Sequence, residues 1–233
     1  VYAEVDLDAL HYNMEQMRQK ISPDTRIMGI IKADGYGHGA VSLGRELEPL
    51  DYVFGYGVAT AEEAFILREA GLKKPVLVLG YTFPYAYDEL IEKEIRMTVF
   101  RYDTLEELAS CAAKKGKKAK IHIKTDTGMN RIGIRPDESG LQFIKKALSY
   151  EWIEAEGIFT HFARSDEADK TSAKHQNDQM SQFIKRAEAE TGYRFPLRHC
   201  SNSAGILELQ EANMDMVRAG ITLYGLWPSE EVS

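Results

Sequence analysis

The chain has 233 residues, of which 44% are hydrophobic and 28% are charged, and this is enough for the core of one large domain. Its formal net charge of −7 argues against nucleic acid or an anionic membrane as the main partner. No apolar run approaches the roughly 20 residues that a membrane-spanning helix needs. Cys111 and Cys200 do not suggest a disulfide framework, and no signal peptide opens the chain, so we predict a cytoplasmic protein.

Strand and helix patterns alternate along the whole chain. It opens with a strand-like alternation over residues 1–7, and a helix is predicted over 8–20. Short apolar runs predict strands over residues 26–31, 52–58, 75–79, 96–100, 119–125, 156–161, 196–199 and 214–218. Amphipathic patterns predict helices between them, over residues 40–47, 61–70, 86–94, 105–115, 138–148, 173–190 and 203–211. Thr60, the pair Asp103-Thr104 and Ser203 are predicted to cap helices.

This alternation indicates a (β/α)8 barrel, of the TIM type, that occupies residues 1–233 as one domain. An open, doubly wound sheet is the alternative, because periodicity alone cannot show that a sheet closes. The polar residues favour the barrel, since barrel active sites are built at the carboxyl ends of the strands. The side chains that fall at such ends are Lys32, Lys124, His161, His199 and Arg218.

The first of these ends carries the most informative segment of the chain. An apolar run over residues 27–31 leads into Lys32 and then into a glycine-rich turn, and residues 32–39 read KADGYGHG. Desolvation at a strand end disfavours a charged lysine, which makes its amine available as a base or a Schiff-base nucleophile. The glycines let the backbone approach a phosphate-bearing cofactor closely. The alternative is a lysine on a solvated loop, the commoner situation for this residue type.

A second polar row follows the predicted fifth strand. Ile121 and Ile123 alternate with His122, Lys124 and Asp126, so these three polar side chains are predicted to point into the barrel. The loop that follows returns Arg131 to the same rim. A shift of register by one residue would instead turn the polar row outward, and the alternation alone leaves that open.

Residues 32–39 resemble the pyridoxal 5′-phosphate (PLP) lysine motif of bacterial alanine racemases. Residues 122–131, 160–162, 198–204 and 218–221 resemble further motifs of that family, in the same order along the chain. The similarity runs from residue 3 to residue 225. It implies an isomerase that interconverts L- and D-alanine, the latter for peptidoglycan, with PLP bound as a Schiff base to Lys32.

The resemblance also implies roles for the other strand ends. Lys124 corresponds to a carbamylated lysine that holds Arg131, and Arg131 contacts the phenolic oxygen of PLP. His161 packs against the pyridine ring, where the alternative is a hydrogen-bonded core histidine. Arg218 donates to the pyridine nitrogen, where the alternative is a surface arginine, and His199 orients Arg218. Because an arginine does not surrender its proton, the ring would be a weaker electron sink.

The phosphate of the cofactor is expected at the last two strand ends. In the racemase pattern Ser203 touches the phosphate and Asn202 lies beside it, although an ordinary capped helix would also explain this serine. Gly220 and Ile221 follow the last strand, where barrels commonly bind phosphate. Tyr36 completes the predicted cofactor-binding set.

The sequence departs from the family at its far end. Alanine racemases continue into a β-rich C-terminal domain that donates a tyrosine, the second base, across a homodimer interface, whereas this chain ends at Ser233. Because it also begins with Val1, we expect it to be a piece of a longer protein. We expect it to bind PLP weakly or incompletely and to racemise alanine poorly or not at all.

Other functions remain open at this stage. A serine-preferring racemase domain is a close variant, and a non-enzymatic PLP carrier with the same barrel is a second class. A cofactor-free Schiff-base aldolase is a third. A metal site made of His122, Asp126, His161 and His199 is disfavoured, because the cations predicted at the rim would oppose a second positive centre.

Overall fold

The computed structural model describes residues 4–232. The strands, β1 to β8, are Arg26–Ile30, Val53–Val58, Val76–Val78, Arg96–Val99, Ala119–Lys124, Ile153–Phe159, Leu197–His199 and Met216–Ala219. The right-handed α-helices, α1 to α8, are Leu7–Gln19, Ala40–Leu47, Ala61–Glu69, Tyr87–Glu92, Tyr102–Lys115, Glu138–Leu148, Thr171–Thr191 and Ser203–Glu208, and Lys32–Tyr36 forms a helical turn with positive φ angles. Short 3₁₀ turns occupy Pro84–Ala86, Gln210–Ala212 and Ile221–Tyr224.

The sheet closes into a barrel, which confirms the predicted fold and excludes the open sheet. All neighbouring strands are parallel, in the order β7-β6-β5-β4-β3-β2-β1-β8. Two backbone hydrogen bonds then join the edge strands β7 and β8. Asp215 N donates to Arg198 O at 3.1 Å, and Arg218 N donates to Ser201 O at 3.0 Å.

Helix starts follow local capping chemistry, and this corrects two predictions. The prediction of a strand over residues 1–7 is wrong from residue 4 onward, because the Asp6 carboxylate accepts from Ala9 N and caps α1, which begins at Leu7. Residues 1–3 lie outside the described chain. The predicted cap Asp103-Thr104 is also wrong, since α5 already begins at Tyr102. The Thr60 cap is confirmed, because its hydroxyl accepts from Glu63 N at 3.3 Å.

The interior of the barrel has an apolar and a polar part. Alternate residues of β1 face opposite ways: Ile27 belongs to the large core between strands and helices, and Met28 to a smaller cluster. That smaller cluster consists of Met28, Ile30, Phe54, Leu77 and Met216. Polar side chains occupy the rest of the interior, namely Arg96, His122, Lys124, Glu156, His199 and Arg218. Within residues 4–232 no helix is long and apolar enough to cross a bilayer.

Candidate active site

The site begins where β1 ends, in a strained left-handed turn. Lys32 is followed by Ala33, Asp34, Gly35 and Tyr36, whose φ angles are 51°, 51°, 62° and 53°. Left-handed backbone costs a non-glycine residue roughly 1–2 kcal/mol, so the turn needs external support. The Asp34 carboxylate supplies part of it by accepting from Ala40 N at 2.8 Å. The turn therefore fixes the backbone immediately after the lysine.

Glu63 supplies the rest of that support. Its two carboxylate oxygens accept from Ala33 N and Ala59 N, each at 2.7 Å. The residue thus ties the amide next to Lys32 to the start of α3. Sequence reasoning missed this role. The spacing Thr60-x-x-Glu63 is that of a capping box and signals a helix start, but it cannot show that the glutamate reaches Ala33.

Replacing Glu63 by glutamine is expected to loosen this turn. One of the two amides would then face an NH2 group instead of an acceptor, which costs about 1–3 kcal/mol for an unsatisfied donor. Urea denaturation should show that loss of unfolding free energy. Glu62→Gln is the matched control, because Glu62 accepts a hydrogen bond from Tyr85 at the exposed surface, and it should change stability by less than about 0.5 kcal/mol. Equal losses in both variants would contradict the assignment.

A cavity of about 400 Å³ opens at the carboxyl ends of the strands. Its volume is in the range of sites for small molecules and cofactors. Every predicted site residue except His199 lines it: Lys32, Tyr36, Lys124, Arg131, His161, Asn202, Ser203, Arg218, Gly220 and Ile221. His199 is fully buried next to Arg218, with His199 Nδ1 2.8 Å from Arg218 Nη1. The structure thus brings together residues that are up to 189 positions apart, Lys32 and Ile221.

The cavity is strongly cationic. Lys32, Lys124, Arg131 and Arg218 line it, and Asp166 is the only carboxylate among its described lining residues. Desolvation, together with the nearby Arg218 charge, lowers the pKa of Lys124 to about 8. Lys124 Nζ donates to Thr125 O at 2.6 Å and Ile132 O at 3.2 Å. Such a site suits an anionic ligand.

Arg218 is buried with only neutral acceptors. Its guanidinium donates to the backbone oxygens of Thr160, Cys200 and His199 at 2.8, 2.9 and 3.2 Å. It also lies 3.3 Å from His161 Nδ1. Since guanidinium only donates, His161 Nδ1 is an acceptor and the imidazole is neutral. Burial, with the Arg218 charge, lowers the pKa of His161 to about 3, so His161 stays neutral near pH 7.

Ser203 does not cap its helix, which corrects the prediction. Asn202 is the cap, because its Oδ1 accepts from Gly205 N at 3.0 Å. The Ser203 hydroxyl is therefore directed elsewhere and accepts from Gly220 N at 3.0 Å and Thr222 N at 3.3 Å. The two amides thereby form a small cradle around this hydroxyl, and a Cβ on Gly220 would lie 3.5 Å from Ser203 Oγ, which is an ordinary contact distance. The two amides donate to the Ser203 hydroxyl and so hold it in place, and the hydroxyl proton is the donor that this cradle offers to a phosphate.

The polar row on β5 is only partly as predicted. His122 and Lys124 are buried in the barrel, which confirms their inward orientation. Asp126 does not line the cavity, and its Oδ1 instead accepts from Gly128 N and Asn130 N, both at 3.0 Å. The carboxylate thereby shapes the loop that carries Arg131. Between residues 4 and 232, no three His, Cys, Asp or Glu side chains are placed to hold a metal ion.

The geometry fits a cofactor such as PLP. The cavity supplies an amine at one side, a phosphate cradle at Ser203 and Gly220, and a fixed guanidinium donor at Arg218. Among residues 4–232 this buried guanidinium has no carboxylate partner, which is costly, and the cost is compensated when an acceptor or anion lies in the cavity. Lys32, Tyr36, Arg131 and His161 are the other side chains within reach of such a ligand.

Comparison with known proteins agrees with this geometry. The family described as "Alanine racemase, N-terminal domain" matches residues 5–228. Over 232 residues the chain is 44% identical to the alanine racemase of Desulforamulus reducens, and it is 41% identical over 233 residues to that of Methanococcus maripaludis. All of this chain is covered in both cases, but only 62% of each relative, so the chain spans less than two thirds of their length.

Solved structures give the same result. Alanine racemase of Clostridium difficile 630, in complex with cycloserine, superposes with a TM-score of 0.94 at 39% identity, over 97% of this chain and 62% of that one. Alanine racemase from Bacillus anthracis with bound L-Ala-P superposes with a TM-score of 0.90 at 33% identity, over 98% of this chain and 58% of that one. The chain therefore belongs to the alanine racemase N-terminal domain family.

Proposed function

We propose that this chain, as one domain over residues 1–233, is the PLP-binding barrel of a cytoplasmic alanine racemase. One observation carries the proposal: Lys32 and the buried Arg218 line a single cationic cavity that also contains the Ser203–Gly220 phosphate cradle. When bound, PLP would withdraw electrons from the α-carbon of an amino acid and so acidify its proton. The chain's own residues anchor the cofactor, orient it and move that proton.

Lys32 has two tasks in this proposal. Its amine would hold the cofactor covalently, and as a free amine it would carry the α-proton on one face of the substrate. The clamp of Glu63 on Ala33 supports this by fixing the backbone beside the lysine. Tyr36 lies next to it, with Lys32 Nζ 5.9 Å from the centre of the Tyr36 ring.

Arg218 and His161 hold the pyridine ring. Arg218 would donate to the ring nitrogen and keep its own proton, since it is a donor in each of its described hydrogen bonds. The neutral imidazole of His161, whose Nδ1 lies 3.3 Å from Arg218 Nη2, would hold the ring from its side. Because Arg218 would leave the ring nitrogen unprotonated, the cofactor would be a weaker electron sink, which favours racemisation over transamination.

Lys124 and Arg131 are two cations on one wall, and we propose that Lys124 is carbamylated. A pKa of about 8 leaves part of the amine neutral, so its nitrogen can bond to the carbon of CO2 with loss of one proton. The product is an anion that would pair with Arg131. Among the described residues Arg131 has no other hydrogen bond or ion pair. Arg131 would then be held where it contacts the phenolic oxygen of the cofactor.

Racemisation needs a second base on the opposite face of the substrate. Since the curated relatives are longer than this chain, we propose that the base comes from a segment outside it, contributed across a homodimer. The substrate is alanine in this proposal, in line with the names of the relatives. Faster turnover of serine than of alanine by the full-length protein would contradict this choice of substrate.

A titration with PLP tests the proposal. We expect a visible absorbance band when the chain is mixed with PLP, and borohydride reduction followed by peptide mapping should place the label on Lys32. A label on Lys124 or on surface lysines, or no band at all, would contradict it. In the full-length protein Lys124→Ala should lower turnover of alanine if the protein is a racemase, whereas a PLP carrier would have no turnover to lose.

A further inference from the structure

A line of buried hydrogen bonds runs away from the cavity beneath Arg218. Arg218 Nη1 lies 2.8 Å from His199 Nδ1, and a guanidinium can only donate. His199 Nδ1 must therefore accept, and the proton of this imidazole must be on Nε2. Phe159 stacks on the His199 ring at 4.6 Å with an interplanar angle of 4°, which fixes the plane of the ring.

The same logic extends to the next histidine. His199 Nε2 lies 2.9 Å from His122 Nδ1, so the His199 proton points at His122, whose own proton must be on its Nε2. His122 Nε2 in turn lies 3.1 Å from Glu156 Oε2, an acceptor. Both rings have no exposed surface. Burial lowers the pKa of each histidine, which agrees with neutral imidazoles.

Glu156 ends the line because Arg96 holds it from the other side. Arg96 Nε and Nη2 each donate to the Glu156 carboxylate at 2.9 Å. Burial raises the pKa of Glu156, but the hydrogen bonds from His122 and Arg96 outweigh it and bring the pKa to about 2. A carboxylate at this end can only accept, just as the guanidinium of Arg218 can only donate. The proton arrangement is thus dictated from both ends.

The backbone leaves room for this arrangement at one glycine. A Cβ on Gly157 would lie 2.5 Å from His122 Nδ1 and 2.9 Å from its Cγ, so the ring of His122 rests directly on the backbone of β6. Neither histidine ring can therefore turn freely to exchange its two nitrogens.

We propose that Arg96, Glu156 and His122 are positioning residues that act through His199 to fix the direction of the Arg218 guanidinium at the cavity. They touch neither cavity nor ligand, because none of them lines the cavity. The identity of the group that Arg218 would bind in the cavity rests on the proposed function. The line itself, Arg96-Glu156-His122-His199-Arg218, connects the start of β4 with the end of β8 and is complete without any ligand.

The proton arrangement can be measured without cofactor. We expect the ring ¹⁵N and attached-proton NMR signals of the PLP-free chain at pH 7 to show His122 and His199 as single neutral tautomers protonated on Nε2. Assignment uses the variants His122→Gln and His199→Gln. A proton on Nδ1 of either ring, or a doubly protonated ring, would overturn the proposal whether or not the chain binds PLP.

The variant Glu156→Gln then tests the positioning role. In either orientation of the glutamine amide, its NH2 group faces an N–H donor of Arg96. We therefore expect a second His122 tautomer in this variant. We also expect PLP to bind about tenfold more weakly, which corresponds to the loss of roughly one hydrogen bond. Glu154→Gln is the control two residues earlier on the same strand, since the described residues give Glu154 no hydrogen bond or ion pair; it should retain both properties.

Each outcome has a separate meaning. If Glu156→Gln folds and keeps one tautomer and full PLP affinity, the positioning role is wrong. If the wild-type chain does not bind PLP, the proposed function fails while the tautomer measurement still decides the inference. Should Glu156→Gln not fold, Arg96→Lys is the second variant, because it keeps the cation but loses the two-point contact with Glu156. This variant should change the absorbance of bound PLP and weaken PLP binding severalfold. Unchanged binding would contradict the positioning role.

Discussion

Replacement of Lys32 by alanine is expected to abolish covalent capture of PLP. Lys32 precedes a left-handed turn in which the Glu63 carboxylate accepts from Ala33 N at 2.7 Å, and this contact fixes the backbone beside the lysine. Among the described residues no other lysine lies beside a turn of this kind. The variant should show no visible absorbance band with PLP and no label after borohydride reduction. The measurements are an absorbance titration and peptide mass mapping.

The loss should not come from unfolding. Lys32 is only partly buried, and no hydrogen bond of its side chain to residues 4–232 is described, so Lys32→Ala should change the free energy of unfolding by less than about 1 kcal/mol. Urea denaturation of the variant checks this. Lys124→Met is the comparison, since it removes the other cavity lysine, and it should keep the label on Lys32. A visible band that persists in Lys32→Ala would refute the assignment of this lysine.

Sequence reasoning predicted the fold, and it predicted the rim at which most of the candidate site residues meet, because both depend on local signals. Lys32, His161, His199 and Arg218 each lie at the end of a short apolar run, and a parallel barrel places all such ends at one rim. The position of each strand could therefore be predicted to within a few residues. The largest difference is β6, which begins at Ile153 instead of residue 156, because Glu154 and Glu156 interrupt the apolar pattern.

What sequence reasoning missed depends on partners that are distant in the chain. Arg96 and Glu156 are 60 positions apart and His122 and His199 are 77 apart, so no local pattern could pair them. Ser203 has the chemistry of a cap, and only the contact with Gly220 shows why its neighbour Asn202 takes that role instead. The one signal of these contacts in the sequence is the presence of polar residues on strands that face the barrel interior, since barrel interiors are usually apolar.

The free energy of unfolding is expected to fall steeply as the pH drops below about 6.5, the ordinary pKa of histidine. His122 and His199 are buried and His161 is partly buried, and desolvation lowers the pKa of each in the folded chain, that of His161 to about 3. The unfolded chain takes up protons on these rings below pH 6.5, whereas the folded chain does not. Because the unfolded state binds more protons, acid favours it.

The size of this effect follows from the number of protons. A histidine that is neutral in the folded chain and protonated in the unfolded chain contributes a slope of about 1.4 kcal/mol per pH unit, and His161, with a folded pKa of about 3, does so between roughly pH 6 and pH 4. The lowered pKa values of His122 and His199 add losses of the same sign. Glu156, with a folded pKa of about 2, adds stability above its unfolded pKa of about 4.5 and loses it as the pH falls towards 2. His161 alone should therefore lower the free energy of unfolding by about 2 kcal/mol between pH 7 and pH 5, a large part of the roughly 5–15 kcal/mol by which domains are stable.

Urea denaturation between pH 8 and pH 5 measures that slope directly. His161→Asn removes the one histidine of the three that lines the cavity, and it should reduce the slope by about 1.4 kcal/mol per pH unit below pH 6, since the proton that His161 takes up on unfolding no longer contributes. A free energy of unfolding that is the same at pH 7 and pH 5 would show that these rings take up protons in the folded barrel as readily as in the unfolded chain. That result would contradict the hydrogen bond from Arg218 to His199 Nδ1, because a protonated imidazole cannot accept from a guanidinium.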